Sequence, residues 1–144
     1  MEDLLNFIQT RKPGVSELDL KAAEDKLGSV FPKQYKELFT LVNNAEIGEW
    51  ILHPVREKSN PKKTWDDIVR QNTEVKDEKI PDDFIAIGED GSGDKLCFKT
   101  SNGVMGDKIY YLYHEDGVLE ECAPNLRAFI LASEEYAEVD LDDE

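Results

Sequence analysis

Phe84 to Thr100 is the stretch that most constrains this chain, and it reads FIAIGEDGSGDKLCFKT. Phe84 to Ile87 has the bulk and β-branching of a strand. The run from Lys95 alternates, with Leu96 and Phe98 on one face and Lys95, Cys97 and Lys99 on the other. Between them lies Glu89-Asp90-Gly91-Ser92-Gly93-Asp94. Two glycines and three carboxylates suit neither a helix nor a strand interior, so this segment is expected to be a turn with a negative rim. Any fold for the chain has to accommodate that strand–turn–strand unit.

The residues before it read mostly as helices. Leu4, Leu5, Phe7 and Ile8 form a stripe at helical spacing within Met1 to Arg11, stopped by Lys12-Pro13-Gly14. Ser16 has the character of an N-cap, with Asp19 three residues on, for a helix running to Leu27; Gly28 suits its C-terminus. Pro32 opens a third helix to Val42 carrying Tyr35, Leu38, Phe39 and Val42 on one face, and Asn43-Asn44 ends it. Trp50-Ile51-Leu52 is expected to be a strand ended by Pro54. Thr64 is expected to cap a helix to about Asn72, with Trp65, Ile68 and Val69 inward. Both tryptophans fit apolar stripes and are assigned to the core.

After the central unit, Asp107 to His114 is expected as a long strand. Ile109, Tyr111 and Tyr113 share one face of it; Tyr110, Leu112 and His114 share the other. The alternation predicts that at least one tyrosine row is partly exposed. Glu115-Asp116-Gly117 is a hairpin turn signal leading to a short strand from Val118 to Cys122. Asn125 can cap a last helix that packs Leu126, Phe129 and Ile130. Helices, then consecutive strands, then a helix define an α+β chain with a central, mostly antiparallel sheet flanked by helices. Residues 1–133 are expected to form a single domain. Residues 134–144, EEYAEVDLDDE, carry seven carboxylates in eleven positions and are expected to be a partly disordered acidic tail.

Charge narrows the functional classes. The formal net charge of −15 disfavours nucleic-acid backbones and anionic membrane surfaces and favours basic protein partners. Cys97 and Cys122 lack metal-ligand spacing and read as two free buried thiols in a reducing cytoplasm. The N-terminus lacks the pattern of a secretion signal, and no run approaches a membrane span. A cytoplasmic location is the expectation.

The acidic turn invites chemical readings, each with a weakness. Asp90, Ser92 and Asp94 match the first positions of a calcium loop, but Lys95 stands where glycine is required and Ser101 where glutamate is required. The flanks are strands rather than helices. A phosphate cradle needs glycines leading into a helix N-terminus, whereas Asp94 and a strand follow here. Ser92 lacks the spacing and context of a nucleophile elbow. Cys97 and His114 belong to adjacent expected strands, but no orienting group is evident. His53 reads as a strand end, and two histidines at unrelated positions make no zinc site. Pairs of carboxylates are too abundant to identify glycosidase chemistry. No catalytic residue, metal site or cofactor is assigned.

Four features together resemble the SUKH superfamily, which includes yeast cell-wall assembly regulators and bacterial immunity proteins. They are Leu27-Gly28 with Phe31-Pro32, Tyr35-Lys36 and Leu38-Phe39; Asn43-Asn44 closing that helix; Ile87-Gly88-Glu89-Asp90-Gly91-Ser92-Gly93-Asp94; and the strand Ile109 to Tyr113 with Ala123, Phe129 and Ile130. The resemblance runs from about Ser16 to Leu131. Two positions depart from it: Asn44 stands where the family usually has glycine, and Ser92 where glycine is common. Asparagine tolerates left-handed geometry, so the first departure leaves the fold intact.

The resemblance implies an α+β fold and a non-enzymatic role: a cytoplasmic protein that neutralises a cognate bacterial toxin, expected to be a basic nuclease. A general interaction or regulatory scaffold is the alternative it implies. Carboxylates could occupy the positive cleft of such a toxin and speed association with it. Glu89, Asp90 and Asp94, held outward on the turn, are the first candidates for partner binding, followed by Glu115, Asp116, Glu120 and Glu121. Aromatic residues on an acidic surface, such as the tyrosines of the long strand, suit protein recognition.

Overall fold

A computed structural model describes residues 1–9 and 12–133. The stretch 134–144, expected to be disordered, lies outside the described residues. A six-stranded sheet follows chain order: β1 (Glu46–Ile47), β2 (Trp50–Leu52), β3 (Phe84–Glu89), β4 (Lys95–Ser101), β5 (Val104–Leu112) and β6 (Leu119–Ala123). Every pairing is antiparallel. The helices are α1 (Glu17–Leu27), α2 (Lys33–Leu41) and α3 (Ile68–Asn72), with α4 over 126–133. This is the α+β arrangement expected, with the sheet antiparallel throughout.

Local chemistry sets most of the helix ends. The Ser16 hydroxyl accepts the Asp19 N–H at 3.1 Å, and Gly28 closes α1 at φ 71°, where a Cβ would be strained. Asn125 accepts the Ala128 N–H at 2.8 Å, capping α4. The first segment is a 3-10 helix, Glu2–Phe7, rather than a helix reaching Arg11. It still buries Leu4, while Ile8 is buried just beyond it. α3 starts later than expected because Asp67, not Thr64, caps it, accepting the Arg70 N–H at 3.1 Å. The buried Thr64 hydroxyl instead accepts the Glu57 N–H at 2.9 Å. Trp65 therefore precedes the helix and is 54% exposed, with the Arg70 guanidinium 4.2 Å above its ring. That contact suits a ring at the surface, so the inward assignment of Trp65 is corrected.

The main core lies on the helix side of the sheet. Ile85, Ile87, Leu96, Phe98 and Ile109 pack there with Leu20, Tyr35, Leu38, Phe39, Ile68 and Ile130. Tyr35 stacks between Phe31 and Phe39, centroids 4.3 and 4.2 Å away. The other face carries a smaller cluster, Ile80, Ala86, Cys97 and Leu112, with Phe84, Tyr110 and Leu119 against it. The alternation Leu96/Phe98 against Lys95/Cys97/Lys99 is thus realised with both faces partly apolar.

The chain between α2 and β2 is held by side-chain amides. Asn43 is buried; its Nδ2 donates to Val55 O at 3.0 Å, and its Oδ1 accepts the N–H groups of Val55 and Asn44, each at 2.9 Å. Asn44 has φ 55°, so this asparagine does adopt the left-handed geometry expected at the end of that helix. Gly14 is a close approach of another kind: a Cβ there would stand 2.0 Å from Thr40 O. Only glycine lets the segment before α1 lie along the end of α2, where Val15 N–H donates to Phe39 O at 2.8 Å.

His53 does follow a strand end, but it is buried and its Nε2 has no partner among the described residues. Burial depresses its pKa from 6.5 to about 4. An unfolded chain protonates this imidazole before the folded chain does, so folding stability falls as pH drops from about 6.5 towards 4. The expected loss from this group by about pH 4.5 is of order 2–3 kcal/mol. Denaturant unfolding across that window checks it: His53→Leu should flatten the slope relative to the unsubstituted chain.

The cysteines differ from each other. Cys97 is buried and its thiol is pushed up to about 12 by burial, whereas Cys122 is exposed on the edge strand β6. The expectation of two buried thiols is corrected for Cys122. Burial, then Glu120, raises the Cys122 thiol too, so under native conditions an alkylating reagent should modify Cys122 slowly but ahead of Cys97, which reacts only on unfolding; mass spectrometry of the labelled peptides reads the result.

Candidate functional site

Antiparallel order puts alternate turns at the same end of the sheet. Ile51 pairs with Glu89 and Glu89 with Lys95, and Lys95 pairs with Leu112, which pairs with Leu119. The β1–β2, β3–β4 and β5–β6 turns therefore share one end. Its carboxylates are Glu49, Glu89, Asp90, Asp94, Glu115, Asp116 and Glu120. Ser133, the last described residue, also reaches this end: a Cβ on Gly48 would lie 3.8 Å from its Cβ.

The β3–β4 turn is built on Asp90. Its Oδ1 accepts the Ser92 N–H at 2.9 Å, the Ser92 hydroxyl at 2.7 Å and the Asp94 N–H at 3.1 Å. Such bonds from an aspartate to the backbone just ahead stabilise a tight turn. Ser92 thereby serves the turn. Gly93 takes φ 99°, which brings the backbone close to the His114 ring: a Cβ would meet His114 Cγ at 3.7 Å.

Asp94 ties this turn to the next hairpin. Its Oδ1 accepts the His114 N–H at 2.9 Å and faces His114 Nδ1 at 2.5 Å. Its Oδ2 accepts the Tyr111 hydroxyl at 2.6 Å. The bond from the His114 backbone, then those from Tyr111 and the His114 ring, hold the Asp94 carboxyl well below the usual carboxylate range. Tyr111 is raised in turn, first by its bond to Asp94. The side chain of Asp94 is only 13% exposed, so it is turned inward rather than held outward as the sequence suggested.

The other sequence candidates separate by face. Glu89 pairs with Lys95 at 3.3 Å, and Glu121 with Lys108 at 3.1 Å. Glu121 lies opposite Tyr110, which lies opposite Cys97. That row belongs to the smaller-cluster face, away from the turns. Glu120 lies opposite Tyr111 and accepts the Tyr113 hydroxyl at 2.7 Å. Asp116 accepts the Val118 N–H at 3.0 Å and shapes the β5–β6 turn. Glu115 is exposed, and its carboxylate has no partner among the described residues.

Aromatic rings back the carboxylates. Tyr111 and Tyr113 lie 4.4 Å apart, and Trp50 meets Tyr111 edge-on at 5.2 Å. Tyr113 is exposed and Trp50 half-buried. Sequence reasoning missed Glu49, exposed in the β1–β2 turn, because β1 has only two residues and leaves no periodic signal.

His114 engages Asp94 rather than Cys97, whose neighbour across the sheet is Tyr110. With its thiol raised, Cys97 is held in the unreactive form. Among the described residues, no group of three or more His, Cys, Asp or Glu is arranged to hold a metal ion. What the sheet end offers is a partly rigid surface of negative charge and aromatic rings, suited to docking a protein.

A family model described as SMI1-KNR4 cell-wall, of the SUKH group, matches residues 1–134. The chain belongs to this SUKH family. No curated protein matches it. The SUKH match and the six-stranded sheet agree with each other and support a protein-binding role of the immunity or cell-wall-regulator kind. No helix among the described residues is long and apolar enough to cross a membrane.

Expected effects at Asp94 follow from its bonds. Asp94→Asn keeps an acceptor for Tyr111 or for the His114 N–H but removes the charge that both favour. The variant should lose about 1–3 kcal/mol of stability at neutral pH. Because the folded carboxyl is depressed, its contribution is complete above the unfolded pKa of about 4 and is lost as pH falls through the lower folded value. Urea unfolding of both chains at neutral and acid pH should therefore converge towards the acid end.

Proposed function

We propose that this SUKH chain is a non-enzymatic immunity protein that acts in the cytoplasm on a cognate bacterial toxin, a nuclease with a basic cleft. The acidic sheet end blocks that cleft. The observation that carries the reading is the convergence of three turns: Glu49, Glu89, Asp90, Glu115 and Asp116 gather around Trp50, Tyr111 and Tyr113.

Glu115 and Asp116 are placed foremost, since the first has no partner among the described residues and the second spends one bond on its own turn. Glu89, Asp90 and Glu120 flank them. Asp94 acts by positioning, and Glu121 is the outlying candidate because it faces Lys108. The partner is a basic protein, with neither nucleic acid nor membrane engaged, in keeping with the net charge of −15.

A second reading, a general regulatory scaffold, is favoured by the cell-wall description of the family. The adjacent reading frame separates them, since a secreted toxin gene beside this one supports immunity. Coexpression tests the first reading. Cells making the neighbouring toxin should survive when this chain is present; equal killing with and without it would refute the immunity role.

A further inference from the structure

The two outer strands of the sheet differ. β1 has two residues, and its Glu46 carbonyl accepts the Gln9 N–H at 3.1 Å. β6 is longer, and no described residue is hydrogen-bonded to its outer side. The Val118 carbonyl accepts the Tyr113 N–H at 3.0 Å. Backbone groups of an antiparallel strand turn alternately to its two sides. Those of Glu120 therefore face β5, and those of Leu119 and Glu121 face outward. Ile109 pairs with Ala123 and Tyr110 with Glu121, so Cys122 is an extra residue in the ladder. Such a bulge interrupts pairing, and the open stretch is Val118 to Glu121.

Charge decides what this edge admits. Glu120 and Glu121 are exposed, and Val118 is 50% exposed. Glu115, Asp116 and Glu120 belong to the same hairpin and face no cation among the described residues. Of the nearby cations, Lys108 pairs with Glu121 at 3.1 Å. Lys79 donates to the backbone carbonyls of His114 and Glu115. Carboxylates remain in excess along the edge. A two-fold pairing of two copies through this stretch would set the Glu120 and Glu121 carboxylates of both side by side, which opposes it. Charges on an edge strand guard against such self-pairing. The same carboxylates attract a strand of the opposite sign.

We propose that the outer edge of β6 takes up an extended basic segment of the protein partner as a seventh strand, an inference that rests on the acidic sheet end being the partner site. The backbone groups of Leu119 and Glu121 supply the hydrogen bonds, as in strand addition to an open sheet edge. Side chains set the pattern the segment must carry. Glu120 lies opposite Tyr111, on the face where it accepts the Tyr113 hydroxyl, so the residue beside it is a lysine or arginine. Leu119 packs on the smaller apolar cluster, so the residues paired with Leu119 and Glu121 are apolar. Because Glu121 is already matched by Lys108, its backbone matters to the pairing and its carboxylate does not. The partner segment thus alternates cation and apolar residue.

Amide exchange followed by NMR on the full chain tests it, with a decapeptide of alternating lysine and valine as the probe. In the free chain the Leu119 and Glu121 amides should exchange fast and that of Glu120 slowly. Saturating peptide should slow the first two about tenfold or more. The same peptide with N-methylvaline at every valine keeps its charge but lacks the pairing donors, and should leave them unchanged. On the protein side, Glu121→Pro removes an outward N–H, which an edge strand tolerates, and should weaken peptide binding about tenfold or more. Glu121→Gln, which loses the same carboxylate, should change it by less than about threefold. The inference is overturned if the peptide fails to bind at millimolar concentration, if both peptides protect the edge equally, or if the edge amides stay unprotected at saturation. Survival of toxin-producing cells with unprotected amides would overturn the strand pairing and leave the immunity reading standing. Killing despite protected amides would do the reverse.

Discussion

Replacing Asn43 with alanine should destabilise this chain by about 3–5 kcal/mol. The amide bonds both backbone groups of Val55 and the N–H of Asn44, at 2.9 to 3.0 Å. Val55 is fully buried, so water cannot replace what the amide supplies. Truncation leaves a buried N–H and a buried carbonyl unpaired, each costing about 1–3 kcal/mol. The joint between α2 and the sheet depends on that residue, since Leu52 N–H also bonds back to Ala45 O at 2.9 Å. Thermal unfolding should show a midpoint lower by about 10–15 °C. Asn43→Asp should not rescue, because it loses the donor to Val55 O and buries a charge. A loss below about 1 kcal/mol would mean that Val55 finds other partners.

The largest effect on binding is expected at the β5–β6 turn. Glu115→Lys with Asp116→Lys should weaken toxin affinity about a hundredfold or more, since close charge pairs across such interfaces couple by about 1.5–7 kcal/mol. Most of the loss beyond the contact itself should appear in the association rate, because the pair faces outward and helps steer encounter. The fold should tolerate the change: Glu115 has no side-chain partner among the described residues, and Asp116 supplies one bond, to Val118 N–H. Glu121→Lys, which only sets aside the Lys108 pair on the other face, should change affinity by less than about threefold. Surface plasmon resonance on the three chains gives both rates. Equal effects from Glu121 and from the Glu115–Asp116 pair would place the interface elsewhere.

Much of the framework could be read because its signals are local. Ser16, Gly28 and Asn125 act within a turn of their own helices, and the alternation of Lys95 to Lys99 reports its two faces directly. Asn102-Gly103 is also a local signal, adopting φ 54° and 78° at the β4–β5 turn, as a two-residue hairpin requires. The stronger alternation farther along masks it, setting the expected strand start at Asp107 where the strand begins at Val104. What could not be read depends on contacts far apart in sequence. Asp94 turns inward because His114, twenty residues away, supplies two partners. Cys122 is exposed because β6 is the last strand of the sheet, a position that only the whole strand order determines. Glu49 joins the acidic end through the pairing of Ile51 with Glu89.

The central claim is that an acidic, aromatic sheet end of a SUKH fold captures a basic toxin domain. The most direct measurement is the association rate of the purified full chain with the catalytic domain of the toxin encoded by the adjacent reading frame, followed across a series of salt concentrations. The predicted result is stoichiometric inhibition of that domain, with an association rate that falls steeply as salt rises and a dissociation rate that changes little. Absence of binding at micromolar concentrations, or an association rate indifferent to salt, would contradict the account.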